Sequence, residues 1–292
     1  MIFQKLAKLA KTSTRISGAQ TVCIHTDKRK SQDEIKMFLK DYHGGSVDLV
    51  KKDNGIAHLV LNHPERRNAL SGSMMVDLAE AVDNLESWHE GVGVVFRGAT
   101  NESRVFCSGG DLNTVDKIGT PEFGLDMSIL MSATTEKLRK LPLVSVCLID
   151  GLAVGGGAEL TTATDYRVGT KESAVRFVHA RMGVAPGWGG AGRLARLVGK
   201  QRALELLLTC RKIDIESGCR LGFFDNEIRS VNCVEEAEDF LFKRFEGVDP
   251  SVVRALKIMV LNDDPEKEAN IFAPLWGGPA NKAALEKNLK HR

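Results

Sequence analysis

The chain has no run of about eighteen uncharged apolar residues, the length a membrane helix needs, so no spanning segment is expected. Its six cysteines (Cys23, Cys107, Cys147, Cys210, Cys219, Cys233) are scattered through 292 residues without a C-x-x-C pair. A chain of that length buries a full core without staples. Reduced thiols in an intracellular compartment are therefore expected, not a disulfide framework. Excess charge is also missing: the net charge of +2 is too slight to argue for nucleic acid or an anionic membrane as partner. No Gly-x-Ser-x-Gly elbow occurs, which disfavours a serine hydrolase of the α/β-hydrolase type. Histidines and cysteines lack metal-ligand spacing, so no metal site is expected. There is no sharp linker and no visible repeat. What is there, 43% hydrophobic and 27% charged residues, is ordinary globular composition, enough for one large domain or two small ones.

Residues 1–26 contain no acid but hold Lys5, Lys8, Lys11 and Arg15 among Thr12, Ser13, Thr14 and Ser17. That composition reads equally as a mitochondrial transit peptide or as a basic tail on a cytosolic protein. Residues 27–44 are charged and read as an amphipathic helix or a mobile stretch. The folded body is expected to begin near Ser46. Val47 to Lys51 and Ile56 to Leu61 read as strands around the Asp53-Asn54-Gly55 turn. Ser71 or Ser73 caps a helix that runs to about Trp88. Strand Val92–Phe96, a helix over 121–140, strand Leu143–Ile149, a helix over Gly157–Thr164, strand Asp165–Gly169 and a helical segment over Arg193–Leu208 follow. From Val234 the pattern is helical, with breaks at Pro250, Pro265 and Trp276–Pro279. Alternating β and α segments followed by helices imply an α/β fold with crossover connections. The expected division is a leader over 1–45, a core over 46–232 and a helical region over 233–292. Helices without strands of their own often pack on a neighbouring subunit, which points to an oligomer.

Two glycine-rich loops carry most of the chemistry. One reads Phe106-Cys107-Ser108-Gly109-Gly110-Asp111, the other Gly151-Leu152-Ala153-Val154-Gly155-Gly156-Gly157-Ala158-Glu159. Each follows an apolar run and opens a helix-like segment. Two such turns can aim two unpaired main-chain N–H groups at one point, which is how a fold builds an oxyanion hole without side chains. A third segment, Gly187-Trp188-Gly189-Gly190-Ala191-Gly192, formally fits G-x-G-x-x-G. The stretch before it, Met182 to Pro186, is too short and ends in proline, so a dinucleotide site is disfavoured.

In order, Asn62-His63-Pro64-x-x-x-Asn68-Ala69-Leu70, the two loops, Asp165-Tyr166-Arg167 and Gly183-x-x-Pro186-Gly187-x-Gly189-Gly190 resemble the enoyl-CoA hydratase/isomerase (crotonase) superfamily over about residues 46 to 290. The resemblance implies a spiral of ββα turns with a helical C-terminal trimerisation region, assembled as a homotrimer or hexamer. By motif, Gly110 and Gly156 would supply the amides that bind a thioester carbonyl, with Ser108 and Asp111 beside them. The loop before Asn68-Ala69-Leu70 would lie along coenzyme A. That makes Arg66, Arg67 and Ala69 candidate substrate contacts, although the arginines read equally as a solvated loop. Lys282 or Lys287 is a candidate for reaching coenzyme A on a neighbour.

Hydratases of the family place a water with two glutamates. The first maps onto Glu159; where the second would fall, this chain reads Phe177-Val178-His179-Ala180-Arg181-Met182-Gly183, with Arg181 in place of the acid. A guanidinium is no general base at neutral pH, so hydration is disfavoured. An oxyanion hole and one carboxyl group suit a thioester enolate, reached most simply by loss of CO₂ from a malonyl-type acyl-CoA. Ethylmalonyl-CoA giving butyryl-CoA, or methylmalonyl-CoA, is the expected substrate. No cofactor is expected beyond the coenzyme A of the substrate. Glu159 is the first candidate for the acid or for orienting the substrate carboxylate. His179 and Arg181 would line the acyl end, with Trp188 as an apolar wall; packing and interface roles for these three are the competing reading. Other crotonase-type lyase, isomerase or hydrolase chemistry, or acyl-CoA binding without catalysis, remains open. The resemblance implies metabolite repair in the cytosol, against the mitochondrial matrix suggested by the leader.

Overall fold

The computed structural model describes residues 30–100, 102, 104–117 and 119–287. The basic leader over residues 1–26 lies outside the described residues. The packed body runs from Gln32.

Its first element is helix α1 (Gln32–Lys40), which carries Ile35 and Leu39 into the main core. This corrects the expected start at Ser46. Two apolar residues one turn apart anchor the helix, and the charges around them hide that pair in the sequence. Strands β1 (Ser46–Lys51) and β2 (Ile56–Asn62) form the expected antiparallel hairpin. Helix α2 (Gly72–Glu86) is capped by Ser71, whose Oγ accepts the Met74 N–H at 3.2 Å. After it come β3 (Gly93–Gly98), β4 (Val105–Cys107), α3 (Leu112–Lys117), α4 (Pro121–Lys140), β5 (Val144–Ile149), β6 (Leu152–Val154) and α5 (Gly156–Thr161). Then follow β7 (Tyr166–Gly169), β8 (Ala174–Arg176), a 3₁₀ turn at His179–Met182, α6 (Gly190–Val198), α7 (Lys200–Thr209), β9 (Ile213–Asp214), α8 (Ile215–Leu221) and β10 (Asn226–Glu227). Helices α9 (Cys233–Phe245), α10 (Pro250–Met259), α11 (Pro265–Phe272) and α12 (Pro279–Glu286) close the chain.

The strands divide between two sheets. One runs in the order β1-β2-β3-β5-β7-β10 and the other β4-β6-β8-β9. Three successive strand pairs, β3 with β4, β5 with β6 and β7 with β8, each give their first strand to the larger sheet and their second to the smaller. Repetition of that step is the spiral. Neighbours along β2-β3-β5-β7 and along β4-β6-β8 are parallel.

The central strands are buried on both faces, and side chains alternate between them. Phe96, Cys147 and Ile149 join the core under α2 and α4. Val95, Val146 and Leu148 face a second core made with Leu241, Phe245 and Val253 from α9 and α10. The Asp165-Tyr166-Arg167 motif is a stitch in this frame. The Arg167 guanidinium donates to the carbonyls of Phe223 and Thr164 at 2.6 and 2.9 Å and to Asp225 Oδ2 at 3.1 Å. Asp165 accepts the Ser145 N–H at 2.8 Å and pairs with the buried Lys257 ammonium. Cys147 fills core, and burial raises its thiol pKa.

Candidate active site

Both glycine-rich turns leave the smaller sheet, from β4 and β6. Their parent strands are only three residues long and have no periodic signature, so the sequence reads them as loop. The first turn is pinned by a parallel bridge to Leu70: the Leu70 N–H donates to Gly109 O, and the Asp111 N–H to Leu70 O, both at 2.8 Å. That pattern turns the Gly110 N–H away from the bridge. The second turn is pinned by the Gly155 N–H, which donates to Arg176 O at 3.0 Å. Gly156 is the first residue of α5, where a helix has no acceptor for the N–H. Among the described residues, the N–H groups of Gly110 and Gly156 meet no acceptor.

The turns touch. A methyl group on Gly109 would lie 3.2 Å from the Gly156 nitrogen, and its φ of 99° already disfavours any other residue. Gly156 rests on the face of Trp188; a Cβ there would fall 2.4 Å from the indole. Gly110 and Gly156 both line a cleft of about 600 Å³, together with Arg66, Arg67, Ala69, Ser108, Asp111 and His179. That volume suits a small-molecule ligand. Met182 and Val184 add exposed apolar surface at its rim.

Other sequence candidates fall into three groups. Arg66 and Arg67 stand exposed on the cleft wall. Arg67 is in the left-handed conformation with φ 55°, a turn held by the next residue. There Asn68 donates to Ala99 O and Val105 O at 2.9 and 3.0 Å and accepts the His63 N–H at 3.1 Å. Ser108 lines the cleft with its N–H committed to Arg67 O at 3.1 Å. Asp111 lines it too, but its Oδ1 accepts the Asn113 and Thr114 N–H groups at 3.0 and 3.1 Å and so caps α3.

Glu159 stands away from the cleft, and neither Trp188 nor Arg181 lines it. Glu159 is 1% exposed and does not line the cleft. Its Oε2 accepts the N–H groups of Trp188 and Gly190 at 2.9 and 2.8 Å. Its Oε1 accepts the Gly187 N–H at 3.2 Å and faces His179 Nε2 at 3.1 Å. The segment resembling a phosphate loop is therefore an anion cradle, and its anion is this internal carboxylate. Trp188, 4% exposed, lies behind Gly156 as a support and not as a wall of the cleft. The Arg181 side chain is exposed, reaches Thr209 O at 3.4 Å and lies off the cleft lining.

Sequence reasoning missed Arg193, because nothing in a helix-opening Gly-Arg marks burial. Its Nε donates to Thr162 Oγ1 at 2.9 Å, Nη1 to Thr135 Oγ1 at 3.0 Å and Nη2 to Trp188 O at 2.8 Å. Burial pulls its pKa down to about 10, against the opposing pull of Glu159. It stays charged at neutral pH and balances that carboxylate in the interior. Cys107, the last residue of β4, is no nucleophile at neutral pH, since burial pushes its thiol up to about 12.

The profile of the enoyl-CoA hydratase/isomerase family matches residues 51–270. Ethylmalonyl-CoA decarboxylase of Mus musculus is 43% identical over 270 residues, 89% of this chain and 83% of the mouse protein. The Homo sapiens protein of the same name is 41% identical over 305 residues, covering 98% of each chain. Among solved structures, an enoyl-CoA hydratase from Bacillus anthracis superposes with TM-score 0.73 at 23% identity, over 83% of this chain and 96% of its own. Pseudomonas aeruginosa AtuE superposes with TM-score 0.76 at 22% identity, over 85% and 97%. With the crotonase spiral and the paired turns in place, the chain belongs to the enoyl-CoA hydratase/isomerase family.

Proposed function

We propose that the protein is an acyl-CoA decarboxylase that converts ethylmalonyl-CoA to butyryl-CoA, with methylmalonyl-CoA as a second substrate. The observation that carries this reading is the pair of unpaired amides at Gly110 and Gly156, two residues that line one cleft in a chain 41–43% identical to proteins named ethylmalonyl-CoA decarboxylase. Where hydratases of the family need a second acid, the side chain is an exposed arginine, which supports decarboxylation over hydration.

The chemistry follows from the donors. The thioester carbonyl oxygen receives the two N–H bonds. The bond from the α-carbon to the carboxylate breaks, CO₂ leaves, and the electron pair moves onto that oxygen as an enolate. Donors fixed where charge develops cost no reorganisation as it forms, and each is worth on the order of 10²–10³ in rate. The thioester is the electron sink, so the reaction calls on no cofactor beyond the coenzyme A of the substrate. Arg66 and Arg67, exposed on the cleft wall, are the groups this reading assigns to the coenzyme A phosphates. The reading also takes the protein as a homotrimer or hexamer. Exposed Leu256, Val260, Phe272 and Trp276 on and beside α10 and α11 supply apolar surface for such contacts. The cellular role that goes with this substrate is metabolite repair, in the cytosol.

Incubating the purified protein with ethylmalonyl-, methylmalonyl- and crotonyl-CoA and following products by mass tests the reading. Loss of CO₂ from ethylmalonyl-CoA is expected. Hydration of crotonyl-CoA alone, or no turnover of any of the three, would overturn it.

A further inference from the structure

Among the described residues, two buried side-chain nitrogens lack a hydrogen-bond partner: Arg97 Nε and His179 Nδ1. His179 is the one on the wall of the cleft, which it shares with Gly155 and Gly156. It is only 8% exposed. Leaving a buried polar atom unpaired is destabilising, and native structures rarely retain one without a use. The other ring nitrogen is fully committed, with Nε2 3.1 Å from Glu159 Oε1. A carboxylate only accepts, so Nε2 carries a hydrogen and Nδ1 is the position where a proton is taken up or released. Glu159 is itself immobilised by the N–H groups of Gly187, Trp188 and Gly190. The ring is therefore held in one orientation by a fixed anchor, the arrangement expected of an oriented acid–base group.

We propose that His179 is the acid that delivers the proton to the α-carbon of the enolate, with Glu159 as its positioning residue. The inference deepens the decarboxylase reading and rests on it. Once CO₂ has left, the enolate electrons return from oxygen to the α-carbon. A bond forms there to the proton on Nδ1, the N–H bond breaks, and the carbonyl is restored. The ring regains its proton from water between turnovers. Other ionisable groups on the cleft serve less well. Asp111 Oδ1 is spent on the start of α3, Glu65 is exposed at the rim beside His63, and a guanidinium, which is what Arg66 and Arg67 offer, is a poor acid.

The test is run in D₂O on the wild-type protein and on His179→Gln, whose amide can still donate to Glu159. Two reactions are followed: the configuration of the α-deuterated butyryl-CoA formed from ethylmalonyl-CoA, and exchange of the α-hydrogens of butyryl-CoA itself. Wild type is expected to place deuterium on one face only. His179→Gln is expected to melt as wild type, to lose about 10²–10⁴ in rate in both reactions, and to give mixed configurations. Glu159→Gln, which lets the ring turn, should keep some exchange while mixing the two faces; a single configuration in that variant would remove Glu159 as the positioning residue. Decarboxylation with rate and configuration unchanged in His179→Gln overturns the assignment of the acid and leaves the decarboxylase reading intact. Exchange that depends on His179 without any decarboxylation does the reverse. Neither reaction in the wild-type protein overturns both.

Discussion

Two parts of this molecule present clusters of glycine amides, and they end in opposite states. In the turns at 108–110 and 155–157 the neighbouring amides are used to pin the backbone, and the N–H groups of Gly110 and Gly156 are left unpaired. In the loop at 187–190, three amides converge in the same manner, but Glu159 fills their focus with a carboxylate from inside the protein. On the proposed reading, the first arrangement receives an oxygen that belongs to a ligand. The second has received its anion already and has become a rigid mount. Glycine density alone does not distinguish a binding site from a structural clamp. What decides is whether a side chain of the same chain reaches the donors first.

The largest expected effect comes from emptying the clamp. Glu159→Leu strands three N–H groups, two of them buried, and the His179 Nε2–H, and unsatisfied buried donors cost about 1–3 kcal/mol each. A loss on the order of 4 kcal/mol in urea unfolding is expected. A change near zero would mean that the loop at 187–190 stands without its carboxylate.

The free pair is tested next, by pushing on its support. Gly156→Ala sets a methyl group 2.4 Å from the Trp188 ring. Overpacking of this sort costs about 1–3 kcal/mol, and the displaced amide should lower the decarboxylation rate on the order of 10²–10³. Trp188→Leu in the same chain should recover part of the stability, since it clears the space the methyl needs. Additive losses in the double variant would show that the two side chains do not meet.

Trp188→Phe alone separates support from selectivity. The ring sits behind the turn, so stability should fall by about 1–2 kcal/mol while preference between ethylmalonyl- and methylmalonyl-CoA stays as in wild type. Altered preference would return Trp188 to the acyl pocket. The smallest effect is expected for Arg66→Ala and Arg67→Ala. These exposed groups should raise KM a few-fold with kcat unchanged, and less so at high salt. A change in kcat would place them nearer the chemistry.

Much of this frame was readable from the chain. The β1–β2 hairpin, α2 with its Ser71 cap, α4, β5 and the succession of C-terminal helices follow from periodicity, turn residues and proline positions. The smaller sheet did not, because Val105–Cys107, Leu152–Val154 and Ala174–Arg176 are too short to carry a period of two. Helix α1 was obscured by charge around Ile35 and Leu39. In the site, the glycines marked both turns, since main-chain conformation is tied to local sequence, and the family resemblance singled out Gly110 and Gly156 within them. The fate of Glu159 was not legible. A carboxylate one turn into a helix looks the same whether it faces a substrate or a loop folded back from 28 or more residues away. Trp188 and Arg193 follow the same rule, because their contacts come from tertiary packing and leave no local mark.

The central claim is that Gly110 and Gly156 polarise a thioester carbonyl. Isotope-edited infrared spectroscopy of butyryl-CoA carrying ¹³C at the carbonyl, bound to the wild-type protein, tests it most directly. Two hydrogen bonds to the oxygen predict a carbonyl band displaced to lower frequency than in water, with the displacement diminished in Gly156→Ala. A bound carbonyl that absorbs where it does in free solution would contradict the account.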